Sequence, residues 1–118
     1  MAINVQWLRD TCGALPGSSE DIKWGADLCF CVGDKMFAVT KNSVEEATVS
    51  LKATPAVFAD LIQHDSIDPA PYLARNHWIL VRDHSLLTPA DLALLLRGSY
   101  DLVLSKLSKK KQREITGG

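Results

Sequence analysis

Lysine and arginine are the side chains in this sequence best suited to holding a charged partner, because their positive charges can contact phosphate groups. Lys35 comes directly after a predicted hairpin turn, and Lys52 lies on the polar face of a predicted strand. With Arg75 and Arg82 farther along the chain, they predict a basic stripe on one side of a sheet. The alternative for each is a lone solvated cation that discourages pairing at an exposed strand. The candidate phosphate contacts are Lys35, Lys52, Arg75, Lys106, Lys109 and Lys110.

Positive charge is concentrated at the C-terminal end of the chain. Residues 97–118 contain six Lys or Arg residues and two acidic residues. Residues 1–96 contain seven Lys or Arg residues and twelve acidic residues. A basic end on an acidic body can meet phosphates locally even though the formal net charge is -1. The competing interpretation is a solvated tail that keeps the protein in solution. A pI of about 6.3 argues against tight non-specific DNA binding, which usually accompanies a pI above about 9.

Four further residues are candidates for a ligand or a stacked base: Trp24, Tyr72, Asn76 and His77. Aromatic rings can stack on unpaired bases, although Trp and Tyr more often bury their rings and keep one polar atom in water. Tyr72, in a loop flanked by proline, is the best placed of the rings. Trp78 alternates with Leu80 and is expected in the core.

Catalytic and metal-binding patterns are not recognisable in the sequence. His64, His77 and His84 lack a metal-ligating spacing, and no nucleophile and base form a local signature. His77 is therefore interpreted as structural, although a cleft holding it with a carboxylate and a nucleophile would indicate an enzyme. The odd cysteine count favours reduced, buried thiols at Cys12, Cys29 and Cys31. We expect no catalysis, no metal and no organic cofactor.

The elements that would position these residues alternate between helices and short strands. Helices are predicted over residues 5–15 after an Asn4 cap, from Pro55 to about Gln63 after a Thr54 cap, and after a Thr88 cap, with Gly98 interrupting and Ser99 capping a last helix. Gly33-Asp34 is a two-residue hairpin turn. The predicted strands are residues 21–24, 28–32, 35–40, 47–53 and 77–82, and residues 65–71 are a predicted loop. This order predicts an α+β fold with one antiparallel sheet of about five strands and helices packed on it.

Length and composition favour a single domain over residues 1–118, with residues 109–118 as a flexible basic tail. The N-terminus shows no secretory signal pattern, and no apolar run approaches the roughly 20 residues of a membrane helix. A cytoplasmic protein with no membrane partner is therefore expected.

Five segments carry a family resemblance that composition and periodicity do not supply. They are LPGSSEDIKWG at 15–25, LCFCVGDKMFAV at 28–39, SLKATP at 50–55, PYLARNHWILV at 71–81 and SYDLVLSKLSKK at 99–110. In order and spacing they strongly resemble the MmcQ/YjbR family of small bacterial proteins, nearly end to end. The resemblance implies an α+β fold whose hairpins have been likened to a double-wing DNA-binding arrangement, and the family is often labelled DNA-binding on that likeness. The matching polar and aromatic positions are Trp24, Lys35, Lys52, Tyr72, Arg75, Asn76, His77, Trp78, Ser99, Tyr100 and Lys106.

Two functional hypotheses follow from residues and resemblance together. The first is weak nucleic-acid binding through the hairpin lysines and the basic C-terminal segment. The second is a protein-binding or small-ligand-binding module that uses the surface from Tyr72 to Trp78, with the lysines incidental. A gathering of the cations on one patch would favour the first, and an apolar concavity beside His77 would favour the second.

Overall fold

A tight β-hairpin forms where the sequence predicts a two-residue turn. The computed structural model describes residues 3–23, 27–41, 48–70, 76–83 and 87–117. Gly33 and Asp34 both have positive φ, at 56° and 66°, which matches the backbone of a two-residue turn between antiparallel strands. The turn joins β2 (Asp27–Val32) to β3 (Lys35–Lys41), as the sequence predicts.

The other described strands are β1 (Ser18–Lys23), β4 (Val49–Lys52), β5 (Ile67–Pro69) and β6 (Trp78–Val81). Together with β2 and β3 they form one antiparallel sheet in the order β1-β2-β3-β4-β6-β5. The α+β class and single sheet are confirmed, with six strands where about five are expected. The sixth is β5, which lies inside the predicted loop and pairs with β6 from Ile67 to Pro69. With three residues, two of them Asp and Pro, β5 is too short to show the alternation of apolar and polar residues that identifies a strand in sequence.

Helix caps explain where the helices begin. The helices are α1 (Val5–Gly13), α2 (Pro55–Leu61), α3 (Pro89–Ser105) and α4 (Lys109–Thr116). The side chains of Asn4, Thr54 and Thr88 accept hydrogen bonds from backbone N–H groups in the first turns of α1, α2 and α3, which confirms the three predicted caps.

Helix α3 corrects the prediction that Gly98 interrupts a helix and Ser99 starts another. The helix runs unbroken from Pro89 to Ser105, and Ser99 is fully buried on the face that also carries Leu96 and Tyr100. An isolated glycine costs a helix about 1 kcal/mol relative to alanine, and packing of the buried face against the sheet outweighs this cost.

The C-terminal segment also differs from the expected flexible tail over residues 109–118. Lys109–Thr116 form α4, with the Ser108 hydroxyl accepting a hydrogen bond from the Lys111 N–H at 3.1 Å. Ile115 of α4 packs where a side chain on Gly17 would lie, since a Cβ there would be 2.7 Å from its Cγ2 atom. A local cap and one apolar contact therefore order a segment whose composition resembles a tail.

The hydrophobic core lies between one face of the sheet and helices α1 and α3. It includes Phe30 of β2, Leu51 of β4 and Ile79 of β6 from the sheet, and Leu8 and Leu96 from the helices. A register shift in β3 places Phe37 between the residues that pair with β2, and its ring meets Tyr100 edge-on at 5.5 Å between centroids. This bulge turns Phe37 into the core and changes the direction of the residues before it.

Candidate functional site

A cleft of about 230 Å³ lies at the end of the sheet where β3 begins and β4 ends. We call it the basic cleft, because three of the six candidate phosphate contacts line it. Its lining residues are Lys35, Met36, Lys52, Trp78, Val103, Lys106 and Leu107. The fold thus brings together three lysines that are at least 17 residues apart in the sequence.

Each lysine of the basic cleft reaches it from the end of a different element. Lys35 is the first residue of β3 after the hairpin turn. Lys52 is the last residue of β4 and lies opposite Trp78 of β6. Lys106 is the residue that ends α3, where the free carbonyls of a helix favour a nearby cation.

The hydroxyl of Ser99 holds β3 and β4 at the point where the cleft opens. The two strands pair from Ala38 and Leu51 onward and not before. Just beyond that pair, the Ser99 hydroxyl donates to the Phe37 carbonyl at 2.6 Å and accepts from the Lys52 N–H at 2.9 Å. One buried side chain of α3 therefore replaces the partners that both backbone groups lack in the sheet.

The opposite wall of the cleft rests on the hairpin turn. A Cβ on Gly33 would lie 2.6 Å from the Cδ1 atom of Leu107, so the absence of a side chain at Gly33 lets Leu107 pack against the turn. The Gln112 amide donates to the Leu107 carbonyl at 2.8 Å, which fixes the chain between α3 and α4. Leu107 is consequently placed beside Lys35 and Lys106 as part of the cleft.

The charges of the cleft lysines are not neutralised by side chains in the part of the chain that the structure describes. The ion pairs there join Arg9 to Glu20, Arg82 to Asp68 and Arg97 to Asp101. Lys35 and Lys106 are exposed, and Lys52 is half-buried. Arg82, expected in a basic stripe, instead contacts Asp68 at 2.8 Å, so the positive surface consists of the lysines without it.

Helix α4 extends the positive surface away from the cleft. Lys109 and Lys110 are exposed in its first turn. Lys109 follows Lys106 by three residues, so their Cα atoms lie within about 11 Å of each other. Five of the six candidate phosphate contacts therefore belong to one region of the surface.

The remaining sequence-based candidates do not join the cleft in the described structure. Trp24, Tyr72 and Arg75 lie outside the described residues. Asn76 is exposed. His77 has a positive φ of 65°, and its ring lies edge-on to Phe58 of α2 at 5.4 Å. His77 therefore packs against an aromatic ring of α2. Within the described part of the chain, its neighbour Trp78 lines the cleft, and His77 does not.

Sequence reasoning did not identify the apolar lining residues or the role of Ser99. Met36, Val103 and Leu107 carry no chemical signal in the sequence. Ser99 does carry one: it lies seven residues after Leu92 and four before Val103, on the helical stripe that α3 buries. A serine on such a stripe needs a hydrogen-bond partner inside the protein.

The cysteines do not line the cleft. The three cysteines are buried. Burial, with a smaller contribution from the Glu20 charge, raises the pKa of the Cys12 thiol to about 12. Within the ranges that the structure describes, no three His, Cys, Asp or Glu side chains cluster as a metal site would require. Across those same ranges, every helix is too short or too polar to cross a bilayer.

Comparisons with known proteins match nearly the whole chain. The E. coli K12 protein named uncharacterized protein YjbR is 28% identical over 115 residues, which cover 94% of this chain and 96% of that protein. A solved Deinococcus radiodurans structure with a DUF419 domain has a TM-score of 0.84 and 32% identity, covering 96% of this chain and 88% of that one. A solved Pseudomonas syringae structure has a TM-score of 0.70 at 22% identity, covering 86% and 99%, and it supports the fold alone.

The family model named YjbR matches residues 13–102. This span includes the hairpin, the Ser99 hydroxyl that bridges Phe37 and Lys52, and two of the three cleft lysines. Fold, length and sequence agree on the assignment. The chain belongs to the YjbR family.

Proposed function

We propose that this protein binds nucleic acid without catalysis, holding backbone phosphates with the lysines of the basic cleft and with Lys109 and Lys110 of α4. The observation that carries the proposal is the convergence of Lys35, Lys52 and Lys106 on one opening. Three ammonium groups around one concavity, with no carboxylate paired to them in the described residues, form a site for an anion.

The charges outside the cleft favour a polymer over a small anion. A small phosphate compound would be held by the three cleft lysines alone, and Lys109 and Lys110 would then have no role. A chain of phosphates can contact the cleft and α4 together, since successive phosphates repeat along the backbone. Because the whole protein has a net charge of -1, the interaction is expected to be weak and strongly reduced by salt.

A small-ligand function is the second candidate, and the apolar part of the cleft favours it. Met36, Val103 and Leu107 form an apolar surface beside the lysines, which could hold the body of a single amphipathic anion. This alternative predicts saturable binding of a mononucleotide or similar compound, with little added affinity for a polymer.

The proposal is tested by fluorescence anisotropy with labelled oligonucleotides at roughly 50 mM and 200 mM salt. The test variant is Lys35→Gln/Lys106→Gln, which removes two exposed cleft charges. The matched control is Arg82→Gln/Arg97→Gln, which removes two exposed charges that are already paired with acids. Both variants change the net charge equally, so a general loss of attraction would affect them alike.

We expect the cleft variant to lose most of the binding and to lower the slope of log affinity against log salt by about 1.5, close to the sum for two phosphate contacts. The control should bind almost as the unmodified protein does. Equal losses in the two variants, or no binding at low salt, would contradict the proposal.

A further inference from the structure

We propose that the basic cleft receives one unpaired nucleotide of a single strand, with its phosphate on the lysines and its base against the apolar wall. This inference rests on the proposed nucleic-acid function and names the form of nucleic acid that the site selects. It derives from the apolar side chains that line the cleft together with the lysines, because phosphate binding alone does not require them.

The lining of the cleft combines two chemistries within one small space. Lys35, Lys52 and Lys106 supply charge, while Met36 and Leu107 are half-buried and supply aliphatic surface. A phosphate needs only the first of these. A nucleotide presents an anion and a flat apolar face within one unit, and apolar side chains are among the surfaces on which extruded bases pack.

The aliphatic side chains, more than an aromatic ring, would contact the base. Trp78 lines the cleft but is only 5% exposed, so little of its ring is open to a ligand. Met36 is well suited to such a contact because its flexible thioether side chain adapts to flat ligands and makes favourable contacts with aromatic rings. Met36 is directed to the cleft by the bulge that places it opposite Cys31.

The size of the cleft argues for one nucleotide and against a duplex. Its volume of about 230 Å³ is below the roughly 300–1,000 Å³ of pockets that enclose drug-sized ligands, so it has room for at most one base with its phosphate and none for a duplex. In a duplex the bases are stacked and paired, and only their edges are open to side chains in the grooves. A base can reach the apolar wall only if it is already unpaired or if the duplex opens.

Methionine-methyl NMR can test this inference directly, because the chain contains two methionines, Met1 and Met36. The protein, labelled with carbon-13 at its methionine methyl groups, is titrated with four ligands. They are a single-stranded oligonucleotide, the same sequence as a blunt duplex, an abasic oligonucleotide of equal length, and a free mononucleotide. The ring current of a bound base should shift the Met36 methyl signal, while Met1 serves as the internal reference.

We expect the single strand to shift Met36 and to bind roughly tenfold more tightly than the duplex. The abasic strand should bind more weakly and leave the Met36 signal almost in place. Met36→Ala should weaken single-strand binding by roughly fivefold and leave abasic binding unchanged. Leu94→Ala is the matched control, since Leu94 is an apolar residue on α3 that is 73% exposed and does not line the cleft.

The outcomes separate this inference from the proposed function. If duplex and abasic strands bind as tightly as the single strand, or shift Met36 equally, the single-nucleotide inference fails and nucleic-acid binding stands. If no polymer binds at low salt, the proposed function fails. If only the mononucleotide binds, both fail and the cleft is a small-molecule site.

Discussion

Strands β3 and β4 pair along one stretch and separate along the next, and the two stretches differ in chemistry. In the paired stretch, from Ala38 opposite Leu51 to Thr40 opposite Val49, the strands pair through their backbones, and the side chains of these four end residues are buried. In the separated stretch the strands end in Lys35 and Lys52, and a cleft lies between them. The same two strands thus supply both a core and a charged opening.

The difference shows how a sheet can form a binding cleft without a large loop. Pairing between β3 and β4 stops at the bulge at Phe37, and one hydroxyl from α3 bonds both the Phe37 carbonyl and the Lys52 N–H. The paired stretch is held by backbone hydrogen bonds and by several buried side chains of the core. The separated stretch depends on Ser99, for which no neighbouring group substitutes in the described structure.

The largest expected effect comes from Ser99→Ala. It leaves the Phe37 carbonyl and the Lys52 N–H without their partner in a buried position, and we expect a loss of about 2–4 kcal/mol in the free energy of unfolding. Urea denaturation followed by circular dichroism measures this. Ser105→Ala is the control, because the Ser105 hydroxyl bonds the Leu102 carbonyl in an exposed place. A change as small in Ser99→Ala as in Ser105→Ala would show that the bridge does not hold the strands.

A glycine pair compares the hairpin turn beside the cleft with the middle of α3. Gly33→Ala places a side chain at a positive φ and against Leu107, so we expect a loss of about 1–2 kcal/mol from backbone strain together with weaker oligonucleotide binding. Gly98→Ala meets nothing within 4 Å and lies inside a helix, so it should stabilise the protein by about 1 kcal/mol. Thermal denaturation of both variants checks the signs, and equal signs would contradict this description of the turn.

The dependence of stability on alkaline pH tests the buried core around Cys12. Burial raises the pKa of Cys12 from 9.0 to about 12, and burial together with the Asp101 charge raises the pKa of Tyr100, which the nearby Arg97 charge partly offsets. Above about pH 9 the unfolded chain loses the Cys12 proton while the folded chain keeps it, so stability should fall by about 1.4 kcal/mol per pH unit up to the folded pKa. Below about pH 9 the Cys12 thiol keeps its proton in both states and does not make the free energy of unfolding depend on pH.

Urea denaturation at a series of pH values measures the effect, and Cys12→Ala provides the comparison. That variant should be less stable at every pH because it leaves a small cavity, yet its slope above pH 9 should be shallower. An unchanged slope would show that Cys12 is not the group responsible.

The smallest expected effect is at the far end of α3. The Thr88 hydroxyl accepts from the Asp91 N–H at 3.1 Å, and Thr88→Ala should cost about 1 kcal/mol through loss of the cap. Because α3 has 17 residues, this cap lies about 26 Å from the cleft end. Stability should therefore fall without a change in oligonucleotide affinity, and a parallel loss of affinity would link the two ends of the helix.

The sequence was most informative where structure is local. The turn at Gly33-Asp34 and the caps at Asn4, Thr54 and Thr88 each depend on a few adjacent residues, and all are confirmed. The predicted break at Gly98 was wrong because a local glycine penalty was weighed without the buried stripe around it. Strand β5 was missed because its pairing with β6, not its own sequence, makes it a strand.

The sequence does not predict the cleft itself, although all three of its lysines are among the six candidate phosphate contacts. Lys35, Lys52 and Lys106 can be proposed as cations one at a time, but their convergence depends on the start of β3, the end of β4 and the end of α3 meeting at one end of the sheet. That arrangement follows from long-range pairing and packing. Periodicity reports which face a residue occupies, and it contains no information on which strand ends meet.

The most direct test of the central claim, that three lysines distant in sequence act on one ligand, is NMR of the lysine ε-methylene groups during titration with a single-stranded oligonucleotide. We predict that the signals of Lys35, Lys52 and Lys106 shift with a common midpoint, equal to the dissociation constant measured by anisotropy. Shifts confined to the lysines of α4, with the three cleft lysines unmoved, would contradict it.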